Sequence, residues 1–219
     1  MPVYGKRIVR RAGREEPAIR VPRGPLSEPI DRQTIVRRHY VGDPARWFHG
    51  IFEHTNEATP LERVEKRCGP VSEEIRTRIG PGKSPPVILD WGCGRGTALT
   101  EIAKLFPESR CYGFSAEFYD DWRSNESATF IHAVREDLPR YLKDNSVAVI
   151  FSHVGMTRLG NDEFLDELDK ILPKLKRGGK MFLYPFQHEL IEIVARMPGI
   201  RLSLKPLERG FQAIIEKTE

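Results

Sequence analysis

One short segment of the chain combines an acidic side chain with three closely spaced glycines. Residues 87–96 read VILDWGCGRG, so Asp90 is followed by Gly92, Gly94 and Gly96. Glycine lets the backbone turn tightly and come close to a ligand, and a carboxylate favours a cationic group beside it. The segment therefore predicts a ligand site that combines backbone contact with negative charge.

Two nucleotide-binding motifs with similar glycines do not fit this segment. A dinucleotide-binding turn has the spacing GxGxxG and an acid about 20 residues later. Here the spacing is GxGxG, and Asp90 precedes the first glycine by two residues. A P-loop ends in Gly-Lys followed by Ser or Thr, and that ending is absent.

The segment lies in a region where predicted strands and helices alternate. Apolar runs predict strands at residues 87–90, 111–115, 128–134, 147–154, 180–186, 201–208 and 211–218. Alternation of this kind predicts an α/β fold, namely a doubly wound, mostly parallel seven-stranded sheet with helices on both faces. The last two strands predict an antiparallel C-terminal hairpin around Gly210.

Periodic apolar residues and terminal signals predict the helices. They cover residues 61–68, 71–79, 97–106, 116–124, 162–176 and 187–197. Thr59 is the expected N-cap of the first helix, and Asn161 is the expected N-cap of the fifth. The sequence Arg177-Gly178-Gly179 is expected to end the fifth helix.

The motif D-x-G-x-G-x-G after a first strand resembles the first motif of class I S-adenosylmethionine (SAM)-dependent methyltransferases. The resemblance covers about residues 85–219 and implies SAM as cofactor. It implies that Asp90 holds the amino end of SAM. It also implies that Gly92, Cys93 and Gly94 pass under the cofactor, and that Gly96 is a further cofactor-binding residue.

The resemblance assigns further site residues at the ends of later strands. It places Ser115 by the ribose, and Arg135 and Glu136 near the adenine. Ser152 and His153, at the end of the fourth strand, would face the methyl group. We predict His153 as the general base, with an ordinary structural histidine as the alternative. No metal site is predicted, because no histidines or cysteines have ligand spacing.

Three positions depart from the family pattern. The family usually has acids where this chain has Ser115, Val134 and Ala148. Glu117 is either a substitute ribose ligand or a helix-terminal acid. These departures leave open a degenerate SAM-binding or interaction module without catalytic activity.

Charge is distributed unevenly along the 219 residues, whose net charge is +4. Residues 1–40 hold ten Lys and Arg against four acids, so the remaining chain is slightly acidic. We predict a basic, proline-rich arm over residues 1–36, a helical segment over 37–84 and a SAM-binding domain over 85–219. Tyr40, Trp47 and Phe48 are either a lid over the cofactor or core packing.

Three functional hypotheses follow for the acceptor. The first is a small molecule, because the domain has no large inserted recognition module. The second is RNA, tracked by the basic arm, and the third is the non-catalytic module.

No apolar run reaches the roughly 18–20 residues of a membrane span. Three widely spaced cysteines without CxxC favour the reducing cytoplasm.

Overall fold

The computed structural model describes residues 58–133, 135–208 and 210–219, without the side chains of Glu136 and Pro139. The predicted basic arm lies outside the described residues. So do Val134 and the lid candidates Tyr40, Trp47 and Phe48.

Seven strands form one sheet in the order β3-β2-β1-β4-β5-β7-β6. They are β1 (Val87–Trp91), β2 (Arg110–Ser115), β3 (Thr129–His132), β4 (Val147–His153), β5 (Leu175–Phe186), β6 (Ile200–Pro206) and β7 (Phe211–Lys217). Strands β1 to β5 pair in parallel, whereas β7 pairs antiparallel to both β5 and β6. The predicted α/β sheet and its C-terminal hairpin are confirmed.

Helices cover both faces of this sheet. They are α1 (Leu61–Cys68), α2 (Val71–Arg78), α3 (Thr97–Leu105), α4 (Asn161–Ile171) and α5 (Ile191–Ala195). Alternate strand residues point to opposite faces, so Ile88 packs with α1, α2 and α3 while Leu89 packs with α4 and α5. No helix in the described part of the chain is long and apolar enough to cross a membrane.

Several predicted helix boundaries are wrong. The predicted helix at 116–124 is only a 3₁₀ turn over Asp120–Ser124. The predicted helix at 162–176 ends at Ile171, because Pro173 lacks the N–H that would continue it. The chain then enters β5, so Arg177-Gly178-Gly179 lies inside a strand. Pro60 and Gly160, rather than Thr59 and Asn161, occupy the N-cap positions.

A buried carboxylate joins α2 to the sheet. Glu74 is 9 % exposed and accepts hydrogen bonds from Lys180 Nζ at 2.6 Å and from Arg78 Nε at 2.8 Å. Burial acts to raise the pKa of Glu74, but the bonds from Lys180 and Arg78 outweigh it and hold the pKa below its usual value. The ionised carboxylate therefore stabilises the contact between α2 and β5.

We expect Glu74→Gln to lower the free energy of unfolding by about 1–3 kcal/mol at pH 7. A lowered pKa means that the stabilisation is present above the unfolded pKa and is lost as pH falls through the folded pKa. The difference between wild type and variant should therefore shrink below about pH 4. Urea unfolding across pH measures it, with the exposed Glu62→Gln as control. Equal losses in both variants would contradict the role assigned to Glu74.

Candidate cofactor-binding site

The predicted site residues begin where three neighbouring parallel strands end. In the sheet, Asp90 of β1 is opposite Gly113 of β2 and Phe151 of β4. In parallel α/β sheets the crevice outside the carboxyl ends of the strands is the usual ligand site. The sheet order reverses at β1, because β2 and β4 pair with it on opposite sides. Asp90 therefore lies at the switch point.

The Asp90 carboxylate is buried and has no hydrogen-bond partner within the described part of the chain. The residue is 5 % exposed, and no described side chain or backbone group donates a hydrogen bond to the carboxylate. Burial raises the pKa of Asp90 well above its usual value. A carboxylate in this state gains strongly from a cationic ligand, which would restore its charge and replace the lost water.

Two cysteine thiols lie near this carboxylate. Burial, and then the charge of Asp90, raises the pKa of both Cys68 and Cys93 well above the usual range. Both side chains therefore stay protonated at neutral pH. Because the thiolate is the reactive form, neither residue is a nucleophile here.

The glycine segment forms a tight loop between β1 and α3. The N–H groups of Gly92 and Cys93 both donate to the Phe114 carbonyl oxygen at 2.9 Å. Gly92, Gly94 and Gly96 have φ values of 80°, 52° and 78°, in the left-handed region that favours glycine. A Cβ on Gly92 would stand 2.9 Å from the Cα atom of Gly155. The three glycines are thus required by the backbone itself.

Aromatic side chains support this loop from the β2–β3 side. Trp122 Nε1 donates to the Gly94 carbonyl at 3.0 Å, and the Trp122 ring stacks on Phe130 at 4.9 Å. The Phe130 ring in turn fills the space beside Gly96. Trp122 was not among the predicted site residues, because its segment has no motif. Its only signal was a large aromatic residue with a polar N–H in a predicted site loop.

Helix α4 supports the loop from the opposite side. Glu167 is fully buried, and its Oε1 atom accepts a hydrogen bond from Trp91 Nε1 at 2.8 Å. Trp91 directly follows Asp90, so this bond orients the start of the glycine loop. Glu167 was also missed. Its signal was an acid three residues after Phe164 and four before Ile171, on the apolar face of the helix.

Ser152 connects β4 to the glycine loop. Its hydroxyl donates to the Trp91 carbonyl at 2.7 Å and accepts from the Met156 N–H at 2.8 Å. The intervening Val154 has a φ of 71°, which is unusual for a β-branched residue. Such conformations cost about 1–3 kcal/mol and cluster at functional sites. Ser152 lies at the predicted site, and its role toward the methyl group stays a prediction.

His153 ends β4 beside this loop. Its ring stacks on Tyr184 at 6.0 Å between centroids, and the Arg67 guanidinium lies 5.3 Å from the centre of the Tyr184 ring. His153 is opposite Tyr184 in the sheet, two residues before the end of the adjacent strand β5. The structure therefore places His153 at the carboxyl edge, and its role as general base stays a prediction.

The end of β2 holds the predicted ribose-side residues. Ser115 is buried, and its hydroxyl accepts the Glu117 N–H at 3.1 Å. Glu117 accepts a hydrogen bond from Tyr119 at 3.2 Å. It lies in the loop before the 3₁₀ turn, not in a helix. His132 Nε2 donates to the Ala116 carbonyl at 3.2 Å, and burial lowers the pKa of His132. These contacts hold the loop after β2 in one shape.

The predicted adenine-side residues follow β3. Arg135 donates to the backbone carbonyl of Glu163 at 3.1 Å and lies 3.7 Å from its carboxylate. Its guanidinium is therefore directed toward the start of α4. Glu136 belongs to a 3₁₀ turn over Arg135–Tyr141, and its side chain is outside the description. Roles for both residues at the adenine stay predictions.

Comparisons with known proteins agree with this geometry. No family model matches the sequence. A tRNA (guanine-N(7)-)-methyltransferase of Porphyromonas gingivalis is 28 % identical over 131 residues, which are 49 % of this chain and 52 % of that protein. The chain thus matches about half the length of this curated relative.

Solved structures with the same architecture include methyltransferases. The plantazolicin methyltransferase BpumL in complex with SAH has a TM-score of 0.57 at 12 % identity, over 84 % of this chain and 95 % of that one. A Methanococcus maripaludis protein, provisionally assigned as a SAM-dependent methyltransferase, has a TM-score of 0.52 at 15 % identity. The match covers 86 % of this chain and 94 % of the Methanococcus maripaludis chain.

The sheet order, the glycine loop at its switch point and these neighbours define one class of fold. The chain has the class I SAM-dependent methyltransferase fold. The resemblance stated from the sequence is confirmed at this level.

Proposed function

We propose that this protein is a SAM-dependent methyltransferase that binds its cofactor at the carboxyl ends of β1, β2 and β4. The observation that carries the proposal is the Asp90 carboxylate, which is buried and has no partner among the described residues. The amino and sulfonium groups of SAM are cationic, so they fit a site with a buried carboxylate to which no described residue donates. SAH complexes of the plantazolicin methyltransferase BpumL, a structural neighbour, support the same cofactor.

The residues of this chain have distinct proposed tasks around that cofactor. Asp90 binds the amino end, and the loop of Gly92, Cys93 and Gly94 lies against the cofactor. Glu117, in the loop after β2, offers a carboxylate toward the ribose hydroxyls, where the family usually has an acid. The bound cofactor supplies an electrophilic methyl group. His153 accepts a proton from the acceptor, while Ser152 holds the adjoining loop in place.

For the acceptor we propose RNA, with a small molecule as the alternative expected from the compact domain. The observation that favours RNA is the sequence match over 131 residues to a tRNA methyltransferase.

The three cysteines are all free thiols, which supports the cytoplasm as the compartment.

Isothermal titration calorimetry of the full chain with SAM and with SAH tests the proposed function. We expect saturable one-to-one binding of both, because the Asp90 site recognises the amino group that the two molecules share. Adenosine alone, which lacks that group, is the control and should bind more weakly by at least tenfold. Absence of SAM binding by a folded protein would exclude methyl transfer and leave the non-catalytic interaction module.

A further inference from the structure

A second concave surface lies beside the cofactor site. It is a groove of about 620 Å³ between the turn that joins α1 to α2 and the strands β6 and β7. Gln212 near the start of β7 and Lys205 of β6 lie opposite each other and line it. Because Phe211 pairs with Phe186 at the end of β5, the groove opens at the same edge of the sheet as Asp90.

The floor of the groove contains two polar groups without a hydrogen-bond partner among the described residues. Gln212 is 8 % exposed, and no described residue forms a hydrogen bond with its amide. Ser72 Oγ is buried and likewise has no partner in the described part of the chain. Gly69 makes room for the amide, since a Cβ there would stand 2.7 Å from Gln212 Nε2. Buried polar groups are normally satisfied, so an amide and a hydroxyl left open in one groove indicate a polar ligand.

The rim of the groove is positively charged. Lys66, Arg76 and Lys205 line it, and no described acid forms an ion pair with any of them. Of the two acids present, Glu65 accepts the Ser72 N–H at 3.0 Å and so caps the start of α2. Glu73 lies in the first turn of α2, where the helix dipole favours a negative charge. The cations therefore remain available to an anionic ligand.

The last turn of α1 connects this groove to the cofactor site. Lys66 and Gly69 line the groove, whereas Cys68 between them contacts the Ser152 carbonyl at 3.7 Å. Arg67 of the same turn lies over Tyr184, which stacks on His153. A ligand in the groove would therefore extend along α1 toward the carboxyl end of β4.

We propose that this groove binds a single-stranded RNA segment, with phosphate groups beside Lys66 and Lys205 and a base edge on the Gln212 amide. An amide offers both a donor and an acceptor to an exposed base edge, and lysines neutralise phosphates. The proposal rests on the proposed function, since it names the acceptor class of the same enzyme. The groove would be a second RNA-binding site, in addition to the predicted basic arm.

Fluorescence anisotropy of a labelled single-stranded RNA of mixed sequence tests the groove, using the full chain saturated with SAH. We expect Lys66→Ala and Lys205→Ala to weaken RNA binding by roughly 3–10-fold, and to lower the slope of log K against log salt by about 0.7 each. Gln212→Met should weaken binding by a similar factor. Lys143→Ala is the matched control, because Lys143 is exposed before β4 at the opposite edge of the sheet.

Gln212→Met also separates binding from folding. It removes an unpartnered buried amide, so the melting temperature should stay equal or rise while RNA affinity falls. All four variants should bind SAH as tightly as wild type in calorimetry. Groove variants that bind RNA like Lys143→Ala would overturn the groove assignment alone. A protein that binds SAH but no RNA would overturn the groove and the RNA acceptor together, and would leave SAM binding in place. Binding of adenosine monophosphate as tightly as RNA would overturn the groove assignment too. A wild-type protein that does not bind SAH would overturn the proposed function instead.

Discussion

Replacing Asp90 by asparagine is expected to weaken SAM binding by about 30-fold or more and to raise the melting temperature of the ligand-free protein. Loss of one partner from a buried charge pair costs about 2–5 kcal/mol of binding free energy, which gives the first effect. The second follows because the wild-type carboxylate is buried without a hydrogen-bond donor among the described residues. Removing such a group should add about 1–3 kcal/mol to the free energy of unfolding at pH 7.

The pH dependence of this effect has a defined sign. Burial raises the pKa of Asp90, so the folded state holds a proton that the unfolded state releases above about pH 4. Wild-type stability therefore falls, relative to the asparagine variant, as pH rises from about 4 toward the folded pKa. Below about pH 4 the two proteins should be equally stable.

Thermal melts across pH and SAM calorimetry measure the two effects of Asp90→Asn. Asp169→Asn makes the same chemical change on the exposed face of α4 and should leave both quantities unchanged. Retained SAM affinity in Asp90→Asn would refute the cofactor assignment. A lower melting temperature would show that the carboxylate has a stabilising partner in the ligand-free protein.

Gly96→Ala is expected to lower the free energy of unfolding by roughly 3–5 kcal/mol. The φ of Gly96 is 78°, which costs about 1 kcal/mol for a residue with a Cβ. The larger part comes from packing, since the added Cβ would lie 2.2 Å from a Phe130 ring carbon. Phe130 is stacked on Trp122, whose N–H holds the Gly94 carbonyl, so the ring cannot move without disturbing the loop.

Gly82→Ala separates these two contributions. Gly82 has a φ of 77°, almost equal to that of Gly96, but apart from its chain neighbours no atom of the described residues lies within 4 Å of the position of its Cβ. The control variant should therefore lose only about 1 kcal/mol. Urea unfolding of both variants gives the difference, and equal losses would show that Phe130 does not confine Gly96. SAM affinity should fall in Gly96→Ala only, because only that glycine belongs to the loop beside Asp90.

The local sequence pattern predicted the order of strands and helices, but not the residue at which each helix ends. The strand that starts at Val87 and the tight glycine turn after it were predicted correctly, because periodicity and glycine spacing are properties of adjacent residues. The helix over 162–176 was predicted too long, since its apolar spacing continues past Pro173 into residues that pair with β7 and β4 as strand β5. Strand pairing with distant residues decided that boundary.

The contacts that hold the site together could not be predicted from the local sequence pattern. The bonds from Trp122 to Gly94 and from Trp91 to Glu167 join residues 28 and 76 positions apart. Arg135 was predicted beside the adenine from its place after β3, yet its guanidinium engages Glu163 of α4. Direction of a long side chain depends on which acid the fold brings near it.

The sequence by itself determined the class of fold and the residues of the glycine loop, because strand alternation and positive-φ turns are written in neighbouring residues. Only the tertiary structure decided that Asp90 is buried with no donor from residues 58–133, 135–208 or 210–219, and that Gln212 lines a groove with Lys66 and Lys205. The burial of a side chain and its hydrogen-bond partners depend on residues that are distant in the chain. They arise when the sheet and helices close around the site, so no local spacing encodes them.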